Sequence, residues 1–331
     1  MPIPLLTRFR NHPTNFNKLE DLERKFLDLT ISDEKRQGIL QSILKIILDD
    51  NLDEWKLSHI LSAEKNFHKH DIFNSKNNLR GLHVFRMVFS YYASVMRSRN
   101  SIYSNKYHTL GYVQINNFLP VDLRQVACSE IDKVSKLSNN KQPFNQPPID
   151  ETNIELYDRL MDVVLSTTGL QNSKEAQQLF NNNTFVQKIL NEPGDNDIQK
   201  VFHSDIFFPA VKFWYFPNEV THEGAFQYVP NSADITQEKI LDWHYSQSCN
   251  ASGNEFESWR GAGHREGSMR ISMEEIRQLG LHRQTMKVKA NTLLIGNVNG
   301  FHRRGDVSVP TYRNSIHGSI RICTPMKVNP E

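Results

Sequence analysis

His203 and Asp205 stand two positions apart in "VFHSDIFFPAVKFWYFP", residues 201–217, inside an apolar and aromatic run. Side chains alternate along a strand, so this spacing sends the imidazole and the carboxylate to one face and Ser204 to the other. Two polar groups on one face of such a strand either satisfy each other as a buried pair or hold a metal ion. The metal reading needs a second imidazole. Two histidines and one carboxylate on one side of an octahedral ion leave three positions open, the pattern of non-haem Fe(II). His302 is the candidate, because in "NTLLIGNVNGFHRRGD" an apolar strand leads through a glycine to an imidazole at its end.

The triplet alone is common. With 13 histidines and 37 acidic residues in 331 positions, about 1.5 His-x-acid triplets arise by chance, so motif matches need context. The second one present, His264-Arg-Glu266, lies in the glycine-rich "WRGAGHREGS". A metal site needs rigid support, which favours the triplet in the aromatic strand. Downstream, Arg313 and Ser315 in "YRNSIHGSIR" share a strand face. A forked guanidinium beside a hydroxyl suits a fixed carboxylate, such as the far end of a 2-oxo acid chelating the metal. His317 continues that face and reads as a packed core histidine. Lys212 follows Pro209, so its facing is open: it contacts the co-substrate or solvent. Tyr228 and Ser232, in "FQYVPNS", line the pocket or simply form a turn.

These residues need a β scaffold. Strand-length segments are expected at 201–216, 225–229, 285–289, 292–297 and 312–324, and "GYVQINNFLPVDLRQVACSEIDKVSKL" reads as a strand, a turn at Pro120 and an amphipathic helix. Helical spacing is expected at 154–168 and 173–191, and throughout residues 18–100, where "RQGILQSILKIILDD" carries one apolar stripe. The division expected is therefore a helical N-terminal extension, 1–106, and a catalytic or binding domain, 107–331. A long polar stretch at 233–270 reads as an insertion between strands. Lys plus Arg (39) nearly balances Asp plus Glu (37), which gives no reason to expect nucleic-acid or membrane-surface binding. No apolar run is long enough to cross a bilayer, and the first residues lack the apolar core of a secretory signal. Three widely spaced cysteines fit a reducing, cytoplasmic setting better than a disulfide framework.

From "LGYVQINNFLP" onward the chain resembles the phytanoyl-CoA dioxygenase family of Fe(II)/2-oxoglutarate-dependent oxygenases. The stretches carrying the resemblance are "GYVQINNFLP", "FHSDIFFPAVKFWYFP", "GAFQYVPNSA", "ANTLLIGNVNGFHRRGD" and "YRNSI". It implies a double-stranded β-helix, a cupin-like jelly roll flanked by helices. It also implies Fe(II) held by His203, Asp205 and His302, and 2-oxoglutarate held by Arg313 with Ser315, beside Trp214. The activity implied is hydroxylation of a small-molecule substrate with dioxygen, releasing succinate and CO2. The jelly roll also hosts binding proteins, so a non-catalytic metabolite- or sugar-binding protein with a degenerate or non-redox metal site is the alternative. Both histidines must be neutral to ligate, so metal affinity is expected to fall below about pH 6.

Overall fold

Period-two alternation in "AVKFWYF" and "TYRNSIHGSIR" sends apolar side chains to one face and mixed polar and aromatic ones to the other, as in a sheet covered on both sides. The computed structural model describes residues 102–137, 153–172, 174–194, 197–205, 210–221, 224–234, 237, 239, 240, 243, 244, 247 and 269–321. In chain order these form α1 (Ile102–Leu110), β1 (Tyr112–Asn116), α2 (Val121–Leu137), α3 (Ile154–Thr168), α4 (Lys174–Asn182), β2 (Thr184–Asn191) and a 3-10 turn (Ile198–Lys200). Then follow β3 (His203–Ser204), β4 (Ala210–Phe216), β5 (Phe226–Tyr228), β6 (Met269–Arg270), α5 (Met273–Gln278), β7 (Gln284–Thr285), β8 (Thr292–Asn297), β9 (His302–Arg304) and β10 (Thr311–Arg321).

Two five-stranded antiparallel sheets result, ordered β1-β8-β4-β10-β2 and β6-β3-β9-β5-β7. Their pairing has a simple logic. β2 pairs with β10, β3 with β9, β4 with β8 and β5 with β7. Residues 184–228 and 284–321 are thus the two arms of one antiparallel ribbon, and the ribbon passes from sheet to sheet at each successive strand pair. That winding is the double-stranded β-helix, or jelly roll. The stretch expected as an insertion, 233–270, lies between the arms, and most of it is outside the described residues.

The sheets divide the apolar residues by face. Val211, Phe213, Tyr215, Leu293, Ile295, Ile316 and Ile320 pack outward against α1–α4, where Phe180 stacks on Phe213 with centroids 5.1 Å apart. Burying each such side chain contributes roughly 1.5–3 kcal/mol. A second cluster, with Phe301 and Met269, covers the other sheet beside α5, whose start is fixed by a reciprocal Ser272–Glu275 capping box. Between the sheets lie Tyr112, Trp214, Phe216, Phe226, Tyr228 and Leu294.

Two expected elements differ. The helix expected over 173–191 ends at Asn182, and Thr184–Asn191 is an edge strand zipped to β10. The strand expected over 201–216 is two strands in different sheets, β3 and β4. The N-terminal extension lies outside the described residues except for 102–106, which open α1, and the 106/107 boundary falls inside that helix. No helix among the described residues is long and apolar enough to cross a membrane.

Candidate metal centre

β3 and β9 lie side by side with His203 directly opposite His302, ring centroids 4.4 Å apart. Directly paired residues on neighbouring strands share a face, which is why two residues 99 positions apart in the chain meet. Asp205 follows β3, its backbone N–H donating to the Val298 carbonyl at 2.7 Å, while Ser204 points the other way and donates to Asn299 at 2.7 Å. The alternation expected from the sequence holds across this triplet.

Both histidines are oriented by the same device. The Nδ1 of His203 lies 2.8 Å from the Val201 carbonyl, and that of His302 lies 2.9 Å from the Gly300 carbonyl. A carbonyl only accepts, so each Nδ1 carries the proton and each Nε2 presents a lone pair. Neither Nε2 has a hydrogen-bond partner. They face Asp205 Oδ1 at 3.4 and 3.8 Å. The three ligand atoms lie within 4.8 Å of one another, the one such group among the described residues. Three acceptors converging in a buried space repel unless a cation lies between them.

A proton on a histidine does not fill that role, because the electrostatics keep both rings neutral. Burial lowers the His203 pKa, opposed by Asp205 and assisted by Arg270. Burial, then the neighbouring His203 ring, holds His302 well below the usual histidine range. Burial alone would raise the Asp205 carboxyl, but the Lys212 ammonium beside it holds it well below the ordinary carboxylate value. The expected loss of metal affinity below about pH 6 therefore moves to lower pH, because the ring nitrogens stay neutral further into acid.

Lys212 and Trp214 lie on the face of β4 that looks between the sheets. Lys212 Nζ sits 2.5 Å from Asp205 Oδ2, which resolves its facing. Trp214 stacks on His317 at 5.1 Å and leans on Phe226 at 4.8 Å, and Phe226 in turn contacts the His302 ring at 5.6 Å. His317 is a packed histidine whose Nδ1 lies 2.8 Å from the Phe213 carbonyl. Tyr228 and Ser232 brace the His302 segment: the Tyr228 hydroxyl donates to Asn297 and Ser232 accepts from the Phe301 N–H.

Arg313 and Ser315 are buried on the inner face of β10. The Arg313 Nη1 donates to the Gly224 carbonyl at 2.9 Å. Gly224 holds φ at +68°, and a Cβ there would lie 2.6 Å from the Asn191 amide, so glycine is required where that carbonyl turns inward. Arg313 Nε and Ser315 Oγ have no hydrogen-bond partner, and no carboxylate pairs with Arg313 among the described residues. Burial, with Arg304 adding, lowers the Arg313 pKa to about 9.

Sequence reasoning passed over two cations. Arg304, on the His302 face of β9, donates to Asp197 at 2.7 Å. Arg321 ends β10 with Nη2 3.7 Å from Asp205 Oδ2. Alternation from Arg313 through Ser315, His317 and Ser319 reaches Arg321, so the signal was present in the strand pattern. His264 and Glu266 lie outside the described residues.

No protein-family profile and no curated protein matches the sequence. Among solved structures, the chain is similar to EvdMO1 with a TM-score of 0.40 and 13% identity, over 69% of this chain and 49% of that one, so it spans about half of EvdMO1. It is similar to the epimerase SnoN in complex with Fe3+, alpha ketoglutarate and nogalamycin RO, with a TM-score of 0.38 and 13% identity over 69% and 83% of the two chains. It is also similar to EctD from S. alaskensis with bound Fe, with a TM-score of 0.37 and 11% identity over 70% and 82%.

Proposed function

We propose that this chain is an Fe(II)/2-oxoglutarate-dependent dioxygenase of the phytanoyl-CoA dioxygenase type that hydroxylates a small molecule. The observation carrying this reading is the convergence of two buried, unpartnered Nε2 lone pairs on one carboxylate oxygen. Two imidazoles and a carboxylate on one side leave room for further ligands, the donor set of non-haem Fe(II) oxygenases. A purely structural zinc site would be closed by a fourth protein ligand, and the described residues offer three.

Arg313 and Ser315 support the co-substrate. A buried guanidinium without a carboxylate partner is costly, and a buried hydroxyl without a hydrogen bond adds to that cost. Both are relieved by a carboxylate accepting from the guanidinium fork and the hydroxyl. With iron and 2-oxoglutarate bound, the site would supply oxidation of a substrate C–H bond by dioxygen, with succinate and CO2 released. The protein's own part is to hold and orient. His203 and His302, fixed as Nδ1–H tautomers, present Nε2. Asp205 presents Oδ1 while Lys212 occupies Oδ2. Arg313 and Ser315 fix the far carboxylate, and Trp214 and Phe226 wall the space between and exclude water.

The test is anaerobic. Fe(II) and 2-oxoglutarate added to the protein should give the weak visible metal-to-ligand charge-transfer band. His203→Ala should abolish it, and Arg313→Ala should require more 2-oxoglutarate to reach it. No band in the intact protein would overturn the proposal in favour of a non-catalytic jelly-roll binding protein. Succinate release across a metabolite panel then identifies the substrate.

A further inference from the structure

Asp205 turns its two oxygens to different neighbours. Oδ1 is the one nearer both imidazoles, 3.4 Å from His203 Nε2 and 3.8 Å from His302 Nε2, while Oδ2 lies 2.5 Å from Lys212 Nζ. Two anchored segments bring that pair together. Lys212 sits in β4, the middle strand of its sheet, directly beside Gly296 on β8 and Ser319 on β10. Directly paired residues share a face, so small neighbours on both sides leave the lysine stem room to reach across the sandwich. Val298 ties the other partner to the same strand. Its carbonyl accepts from the Asp205 N–H at 2.7 Å, and its N–H donates to the Ala210 carbonyl at 3.1 Å, two residues before Lys212. Side-chain exposures of 16% for Lys212 and 12% for Asp205 put the contact mostly out of water, where opposite charges attract strongly. Oδ2 accepts no hydrogen bond, so charge alone holds it. Arg321 Nη2, further off at 3.7 Å and more exposed, lies on the same side.

A carboxylate ligates a metal through one oxygen or chelates it through both. Two imidazoles and one carboxylate oxygen leave three octahedral positions open, and a chelating carboxylate would fill one of them. A 2-oxo acid bound through its keto and carboxylate oxygens takes two, so only the one-oxygen arrangement keeps a position for dioxygen. We propose that Lys212 is a positioning residue that keeps Asp205 a one-oxygen ligand, its ammonium holding Oδ2 away from the metal. The inference rests on the metal reading above and assigns to Lys212 the number of positions left for co-substrate and dioxygen. Turning the carboxylate to chelate would pull Oδ2 from Nζ. No other carboxylate pairs with Lys212 among the described residues, so that turn would leave a mostly buried ammonium unpaired, which is costly.

The experiment uses the full chain loaded with Mn(II). Electron paramagnetic resonance of free Mn(II) reads metal uptake, and water-proton relaxation counts the waters on the bound ion. The unaltered protein should hold about three exchangeable waters without 2-oxoglutarate and about one with it. Lys212→Met should lose one of them, a fall of about a third in relaxation enhancement before the co-substrate is added and of nearly all of it afterwards. Methionine fills much the same space as the lysine stem, so a packing role would leave the count unmoved. Lys212→Arg restores the cation and should restore the count. About two waters in the unaltered protein, without co-substrate, would overturn the proposal with no variant needed, and that measurement decides should Lys212→Met not fold. A count undiminished in Lys212→Met would overturn it as well. So would a folded Lys212→Met that binds no Mn(II), since a chelating carboxylate holds the ion at least as firmly. A change confined to 2-oxoglutarate affinity would also overturn it, assigning Lys212 to the co-substrate. Failure of the unaltered protein to bind Mn(II) would remove the metal reading itself, and this one with it.

Discussion

Among the described residues the buried Arg313 guanidinium has one backbone carbonyl and no carboxylate, an unstable arrangement for a residue to occupy without purpose. Its pKa, pulled to about 9 by burial and by Arg304, records that tension. Arg313→Lys keeps the charge but loses the fork, so 2-oxoglutarate affinity should fall about tenfold. Arg313→Met should cost about 2–5 kcal/mol of binding while metal uptake persists, measurable by calorimetry on the metal-loaded protein. His317 gives a second prediction with a definite sign. Burial lowers its pKa to about 3, the Phe213 carbonyl opposing and Lys212, Arg313 and Arg321 adding. The folded protein keeps it neutral, whereas the unfolded chain takes up a proton near pH 6.5. Its contribution is therefore full above about pH 6.5 and is lost as pH falls toward 3. His317→Asn should be less stable at pH 7, and its deficit in urea unfolding should shrink on going to pH 4. At this scale the sequence was readable where chemistry is local: a His-x-Asp triplet and an Arg-x-Ser pair declare themselves by alternation. Lys212 was not, because its facing depends on what the chain does between Asp205 and Ala210.

Strand pairing turns those local patterns into a site, and two glycines test it separately. A Cβ on Gly300 would lie 1.9 Å from the Tyr228 hydroxyl and 2.9 Å from Ser232 Oγ, both buried, and the Gly300 carbonyl orients His302. A Cβ on Gly318 would meet the Phe213 ring at 2.3 Å on the helix-facing side. Each overpacking should cost about 1–3 kcal/mol. Gly300→Ala should also weaken metal binding, because the β9 entry must shift, whereas Gly318→Ala should lower the melting temperature and leave metal affinity intact. Equal effects on metal affinity would contradict this division of the sandwich. Element boundaries were legible where one buried stripe is clean, as in α3, or where a short apolar run is bounded by asparagines, as in β8. They failed where the pattern is mixed. In "TFVQKILN" buried Thr184, Val186, Gln187, Ile189 and Asn191 fall on both sides of the edge strand, so the period-two signal is diluted and the preceding helical spacing runs on through it. Residues 201–216 failed for another reason: strand-like segments on either side of Pro209 do not reveal that the chain changes sheets between them.

At the scale of the whole molecule, the ribbon from Thr184 to Arg321 brings every site residue to the space between two sheets, so binding there and folding of the sandwich are one equilibrium. Without a cation, the lone pairs of His203 and His302 oppose the Asp205 carboxylate. Without an anion, Arg313 and Ser315 are unsatisfied. Ligands that bind the native state alone stabilise it by RT ln(1 + [L]/Kd), about 2.7 kcal/mol at a hundredfold excess over Kd. For a domain of this size that corresponds to about 5–10 °C in melting temperature. Ni(II) or Fe(II) under anaerobic conditions should therefore raise the unfolding temperature in proportion to the logarithm of metal concentration, and a chelator should reverse it. His302→Ala should abolish the shift. 2-Oxoglutarate alone, reaching only Arg313 and Ser315, should stabilise little, but after metal loading it is held at both ends and its increment should grow. Metal and co-substrate increments that merely add, or a metal shift that survives in His302→Ala, would mean that the two halves of the site do not share one ligand.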